Sequence, residues 1–235
     1  MTIASMRSEL LRVRADYVLG GGIAVALVLA GALAVNLPHS TTAAQAALPD
    51  YLAASVVQTA VVATFCGVLR YCLDHRAGVV ARSILVGHRA PTLAAKAVVT
   101  ALGGALIGVV GGLGSLAALL IAVPGVQLGA PAVATVLGGV AVSAVAAVWG
   151  LCFGVVVRNY FLAPLVALGA FLGSGLVMDS WPAVGKSLPM GTVMSIVYPA
   201  RLDLLPAPLA VVVLLTWLLV LGAVAAGAMT VRDSI

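Results

Sequence analysis

Polar positions along this chain are rare and bunched, and the apolar runs between them are long. Uninterrupted apolar runs at residues 18–37 and 51–69, the second closed by Arg70, are each long enough to span a bilayer, which takes about 20 residues as helix. From Ala97 to Val157 no charge occurs over 61 residues. Pro124-Gly125 and Pro131 divide that stretch into two expected helices, 97–123 and 132–157. Further runs at 160–178 and 209–231 bring the expected spans to six. A barrel would need alternating segments of about ten residues, which the pattern lacks.

The remaining segments carry patterns of their own. In residues 1–17, Ile3, Met6, Leu10, Val13 and Tyr17 fall at spacings of 3, 4, 3 and 4, the stripe of an amphipathic helix lying in the interface. The first apolar run follows this charged segment at span length, so it reads as a retained helix and not a cleaved signal. Residues 70–96 form the longest charged connection, with an apolar middle at Val79, Val80, Ile84, Leu85 and Val86. Residues 179–208 are too apolar for a solvated loop, and Pro182, Pro189, Pro199 and Pro206 break them too often for a span. A pair of short re-entrant or interfacial helices fits them.

Composition agrees with this pattern. The chain has 235 residues, 63% hydrophobic and only 8% charged, against the roughly 25% charged residues of soluble domains. The expected class is an all-α integral membrane protein with a single domain over 1–235. Placing the N-terminus in the cytoplasm puts Arg7, Arg12, Arg14, Arg70, Arg76, Arg82, Arg89, Lys96, Arg158 and Arg232 inside, and only Lys186 and Arg201 outside. Positive charge concentrates on cytoplasmic loops, so both termini are expected inside a plasma (inner) membrane. Lys96, next to the third run, is expected to snorkel toward the interface.

Several chemistries lack their residues. There is no GxxxxGK[ST] phosphate loop and no HExxH. Ser115 and Ser174 have no evident base within the spans, and Cys66, Cys72 and Cys152 have neither disulfide nor metal spacing. No Asp, Glu, Lys or Arg falls within the six runs, where a coupled transporter would carry one. No catalytic residue, resident cofactor, metal site or nucleic-acid partner is expected on this chain. What remains is packing: Gly104, Gly108 and Gly112 in the third run, and Gly150 and Gly154 in the fourth, give GxxxG faces for close helix approach.

Three stretches carry a family resemblance. "WGLCFGVVVRNYFLAPLVAL" steps from Gly150 and Gly154 to Arg158 and Asn159 and then into a new apolar run. "GHRAPTLAAKAV" is a basic turn followed by a lysine entering the third run, and "GAMTVRDSI" closes the chain. Together with the helix order, these resemble the type-2 permeases of ATP-binding-cassette (ABC) transporters. The resemblance implies an elbow helix at 1–17, a cytoplasmic coupling helix within 70–96, and short re-entrant helices before the sixth span. It implies an exporter of a drug, antibiotic, peptide or lipid-like substrate, with a second permease as partner. ATP and magnesium would be held by two copies of a separate ATPase subunit. In the coupling helix, Ile84, Leu85 and Val86 would form the docking knob, with Arg82, His88 and Arg89 as its rim. A secondary transporter or channel without an ATPase, and a membrane immunity or scaffold protein, stand as alternatives. The substrate is not legible.

Overall fold

The computed structural model describes residues 16–38, 40–80, 89–198 and 203–232. These form eight helices, with no strand among the described residues: α1 Tyr17–Val35, α2 Thr41–Arg76, α3 Arg89–Ala122, α4 Ala130–Val157, α5 Leu162–Ser180, α6 Pro182–Gly185, α7 Pro189–Val197 and α8 Ala207–Arg232. Five of them, α1, α2, α3, α4 and α8, are long and apolar enough to cross a membrane, and α5 carries a shorter apolar stretch, Leu162–Met178. The chain is an all-helical, multi-pass membrane protein.

Two helices overrun their expected bounds. The second run, expected at 51–69, lies inside a helix of 36 residues with Pro49 in its interior. Proline removes one backbone donor, yet Ala44 and Leu48 before it and Tyr51 and Leu52 after it pack into one cluster with Leu37, Leu119 and Val123. That packing carries the helix through Pro49. At the other end α2 continues past Leu69, so Arg70, Asp74, His75 and Arg76 are helical. The third helix begins at Arg89 and not at 97. From Arg89 onward the stretch read as a basic turn is therefore helix, and Pro91 sits in the first turn of α3, where a missing N–H costs nothing. The interfacial stretch 1–17 lies outside the described residues except for its end. Asp16 caps α1, accepting from the Val18 and Leu19 N–H groups at 3.0 and 3.2 Å, and Tyr17 is already the first residue of α1.

The centre of the bundle is α2 against α4. Next to them α3 packs on α4, and α1 lies across α2 and α3. The two ends differ in chemistry. At one end Asp16, Arg70, Asp74 and Lys96 meet, close to a cluster of Tyr71, Val80, Leu151, Val155, Ala225 and Met229. At the other end Gln45 and Gln127 exchange two hydrogen bonds of 3.1 and 3.0 Å between the start of α2 and the α3–α4 connection.

Between α5 and α8 the chain turns back into the bundle. Trp217 Nε1 donates to the Ser187 carbonyl at 2.9 Å. Trp217 is ten residues into α8, about 15 Å along its axis, so the α6–α7 turn lies that far in from the start of α8. Of the nine residues of α7, seven are buried, packed against Trp149 and Phe171 among others.

Candidate functional site

The loop expected to dock a partner joins α2 to α3. Arg82, Ile84, Leu85, Val86 and His88 lie outside the described residues, and Arg89 is the first residue of α3. The described part of the loop's apolar middle is partly core: Val80 is buried against Tyr71 and Leu151. Its two flanks are tied together. The Lys96 ammonium of α3 pairs with the Asp74 carboxylate near the end of α2. Lys96 is 3% exposed, so it does not snorkel to an interface. A cationic side chain this deep in the bundle needs a partner, and α2 supplies one because it runs on past Leu69. A second pair, Arg70 with Asp16 at 3.4 Å, ties α2 to the start of α1, and Arg70 also reaches the Val99 carbonyl of α3 at 3.5 Å. Three helices are thus joined at the end where the loop leaves the bundle.

Each of the five glycines singled out for packing faces another helix of the same chain. A Cβ on Gly104 would lie 2.5 Å from the Ser143 carbonyl oxygen, on Gly108 2.8 Å from Val140 Cα, and on Gly112 2.8 Å from Val136 Cγ1, all in α4. On Gly150 it would collide with the Thr64 carbonyl of α2, and on Gly154 it would lie 3.1 Å from Tyr71 Cβ. Sequence reading missed their counterpart Gly67, whose Cβ would run into the Ala147 carbonyl. Gly67 and Gly150 together let the α2 and α4 backbones touch.

The Arg158-Asn159 step is a helix stop followed by a helix start. Arg158 takes a left-handed conformation at φ 54°, a strained position for a side chain of this size. Its N–H closes α4 on the Gly154 carbonyl at 2.9 Å, and its Nε donates to the Val155 carbonyl at 3.3 Å. Asn159 Oδ1 then accepts from the Phe161 and Leu162 N–H groups at 2.9 and 3.0 Å, satisfying two donors that the first turn of α5 leaves open.

The serines considered as nucleophiles are joints. Ser174 Oγ donates to the Phe171 carbonyl at 2.6 Å and accepts from Met190 N–H at 3.0 Å, pinning the start of α7 to α5. Ser195 Oγ accepts from Leu205 N–H at 3.2 Å. Ser115 Oγ lies 2.6 Å from Ser55 Oγ, both buried, and Tyr51 Oη donates to the Ser115 carbonyl at 2.8 Å. Thr59 accepts from Ser143 Oγ at 3.3 Å. Tyr51, Ser55 and Thr59 thus form a polar ladder on α2. Their i, i+4, i+8 spacing was readable as one helix face, but an apolar run hides single hydroxyls. The cysteines are free: Cys72 and Cys152 are buried and Cys66 half-buried.

No protein-family model matches this chain, and no curated protein matches it in sequence.

Proposed function

We propose that this chain is the membrane permease subunit of an ATP-driven ABC exporter. It works as a dimer, with itself or a related permease, and with two copies of a separate ATPase that hold ATP and magnesium. It sits in the plasma (inner) membrane with both termini cytoplasmic, α5 serving as a sixth, shorter crossing and 1–17 as the elbow. The exported substrate belongs to the drug, antibiotic, peptide or lipid-like classes.

The observation that carries this reading is the α6–α7 hairpin. A nine-residue helix with seven buried residues, seated about 15 Å along α8, is what a re-entrant segment before the last span requires. The Arg158-Asn159 break is consistent with it. So is the tied base of the 70–96 loop. A knob made of Ile84, Leu85 and Val86 would transmit a push to α2 and α3 together, because Asp74 and Lys96 join those helices at the base of the loop. The secondary-transporter alternative draws little from the ion pairs. Asp74 stands two residues from the end of α2 and Asp16 at the cap of α1, whereas coupling ions are held near the middle of the membrane.

The test is affinity purification of the chain from its native membrane. An ATPase subunit is expected to co-purify in equal numbers, and Leu85→Asp is expected to release it by placing a charge in an apolar contact. His88→Ala and Arg89→Ala are expected to weaken it less, as solvated rim charges. Recovery of the chain with no ATPase, or saturable ATP binding by the isolated chain, overturns the reading.

A further inference from the structure

We propose that the small cavity where α1, α2 and α3 meet binds a single water molecule, held between the Thr100 hydroxyl and the Arg70–Asp16 pair. The starting observation is Thr100. It is 4% exposed, and among the described residues its Oγ1 has no hydrogen-bond partner. A threonine inside a helix commonly gives its hydroxyl to the carbonyl three or four residues back. Thr59, Thr64, Thr135 and Thr216 all do so, at 2.8 to 3.0 Å. Thr100 does not, although it stands well inside α3. A buried hydroxyl without a partner is destabilising by the full cost of its desolvation. Its partner is therefore sought in the space beside it.

Thr100 lines a cavity of about 20 Å³. About 10–15 Å³ is enough for one water, provided that two to four polar groups can bond it. Asp16 and Arg70 stand on the same wall. Arg70 reaches Asp16 at 3.4 Å and the Val99 carbonyl at 3.5 Å. Those contacts leave further N–H donors on a guanidinium that carries five. The space exists because Gly103 has no side chain: a Cβ there would lie 3.9 Å from Arg70 Nη1 and 3.5 Å from Leu19 Cδ1. Size excludes anything much larger than water. Charge excludes a free ion, because the carboxylate of Asp16 and the guanidinium of Arg70 offset each other. A neutral, water-sized ligand that both donates and accepts fits what remains. Bound there, the water carries the contact from Thr100 of α3 to the ion pair of α1 and α2, and Thr100 becomes a positioning residue for Arg70. The inference does not depend on an ATPase partner.

The experiment uses the full chain, crystallised from a lipid phase at a resolution that shows ordered water and melted in mild detergent. A density peak is expected within hydrogen-bond distance of Thr100 Oγ1 and of Arg70 or Asp16. Thr100→Val keeps the shape of the side chain and removes the hydroxyl. It is expected to abolish the peak and to lower the melting temperature by about 2–4 °C. Thr100→Ser keeps the hydroxyl and is expected to keep the peak. The sign of the valine effect separates a wet cavity from a dry one. In a dry cavity valine removes an unpaired buried hydroxyl and stabilises the protein. A melting temperature that rises or stays unchanged in Thr100→Val therefore overturns the proposal. So does a parent structure with no peak and with Thr100 Oγ1 donating to the Lys96 carbonyl. A peak that gains an anomalous signal when bromide replaces chloride would make this an anion site and also overturn it. Should Thr100→Val not fold, the parent and Thr100→Ser structures decide the matter on the peak alone.

Discussion

The inner helices α2 and α4 and the outer helices α1 and α8 are built from the same small palette of residues and do opposite things with it. In the most apolar stretch of α2, 61% of residues are buried, and in α4 56%; in α1 the share is 22% and in α8 17%. Hydropathy does not follow burial: α8 is the most apolar of these, with a mean hydropathy of 2.7 against 1.9 for α2. In water the most apolar helix would be the most buried. In a bilayer the lipid is the apolar solvent, so the greasiest helix faces outward and the buried ones carry the hydroxyls and the close backbone contacts. The glycines divide the same way. Gly67 and Gly150 sit where α2 and α4 touch, whereas Gly222 and Gly227 of α8 have nothing within reach of a Cβ.

The harshest way to break this comparison is to fill an inner glycine. Gly150→Val would drive a branched side chain into the Thr64 backbone. A backbone cannot yield as a flexible side chain does, so the α2–α4 seam must open. The expected loss exceeds about 3 kcal/mol, seen as a collapsed melting temperature or an aggregated peak in size exclusion. A Gly150→Val protein that melts like the parent would mean the seam does not hold the bundle.

Next in size is the Asp74–Lys96 pair. Lys96→Met leaves a half-buried carboxylate without this ammonium, and Asp74→Asn takes the paired carboxylate away from a buried ammonium. Each is expected to cost about 3–5 kcal/mol. The double variant should recover part of the loss, because no uncompensated charge then remains. Thermal melts of the four proteins give the coupling directly. Additive losses would show that the two groups do not act as a pair.

These two tests bear on what the sequence disclosed. The apolar runs announced the membrane class and six spans, five of which are helices long and apolar enough to cross, because about 20 apolar residues in a row have few other uses. Packing glycines were legible as a type, from the spacing of Gly104, Gly108 and Gly112, but not individually, since Gly222 sits in an equally apolar run. Boundaries failed where tertiary contacts override local signals: the run expected to start at 51 begins at Thr41, carried through Pro49 by the Leu48 and Tyr51 packing. The same error at the other end of α2 hid the ion pairs. With the run ended at Leu69, Asp74 belonged to a loop and Lys96 had no partner in view. Of the candidate site, the Arg158-Asn159 step was visible as a motif, but its work as a stop and a cap depends on a backbone angle that no residue pattern states.

A milder probe of the inner region is the polar ladder. Ser115→Ala removes one of two hydroxyls 2.6 Å apart in a buried site, leaving Ser55 to bond within its own helix. The bond from Tyr51 goes to the Ser115 backbone and survives. A loss of about 1 kcal/mol is expected, a small drop in melting temperature. A larger drop, close to that of the charge variants, would mean that the hydroxyl pair organises the α2–α3 contact.

The smallest expected effect tests the outer half of the comparison, and its sign matters more than its size. Gly222 lies in α8 with open space where a Cβ would go. If that space is filled by lipid, Gly222→Ala meets no resistance, and alanine recovers helix propensity of about 0.5–1 kcal/mol. The melting temperature should rise slightly, and cross-linking between copies should not change. The same substitution at Gly150 should lower it, because even one methyl group collides with the Thr64 carbonyl. Destabilisation at Gly222 would instead place another protein surface against α8 within the folded assembly. The low burial of α8 would then belong to the isolated chain, and the contrast between inner and outer helices would narrow to α1.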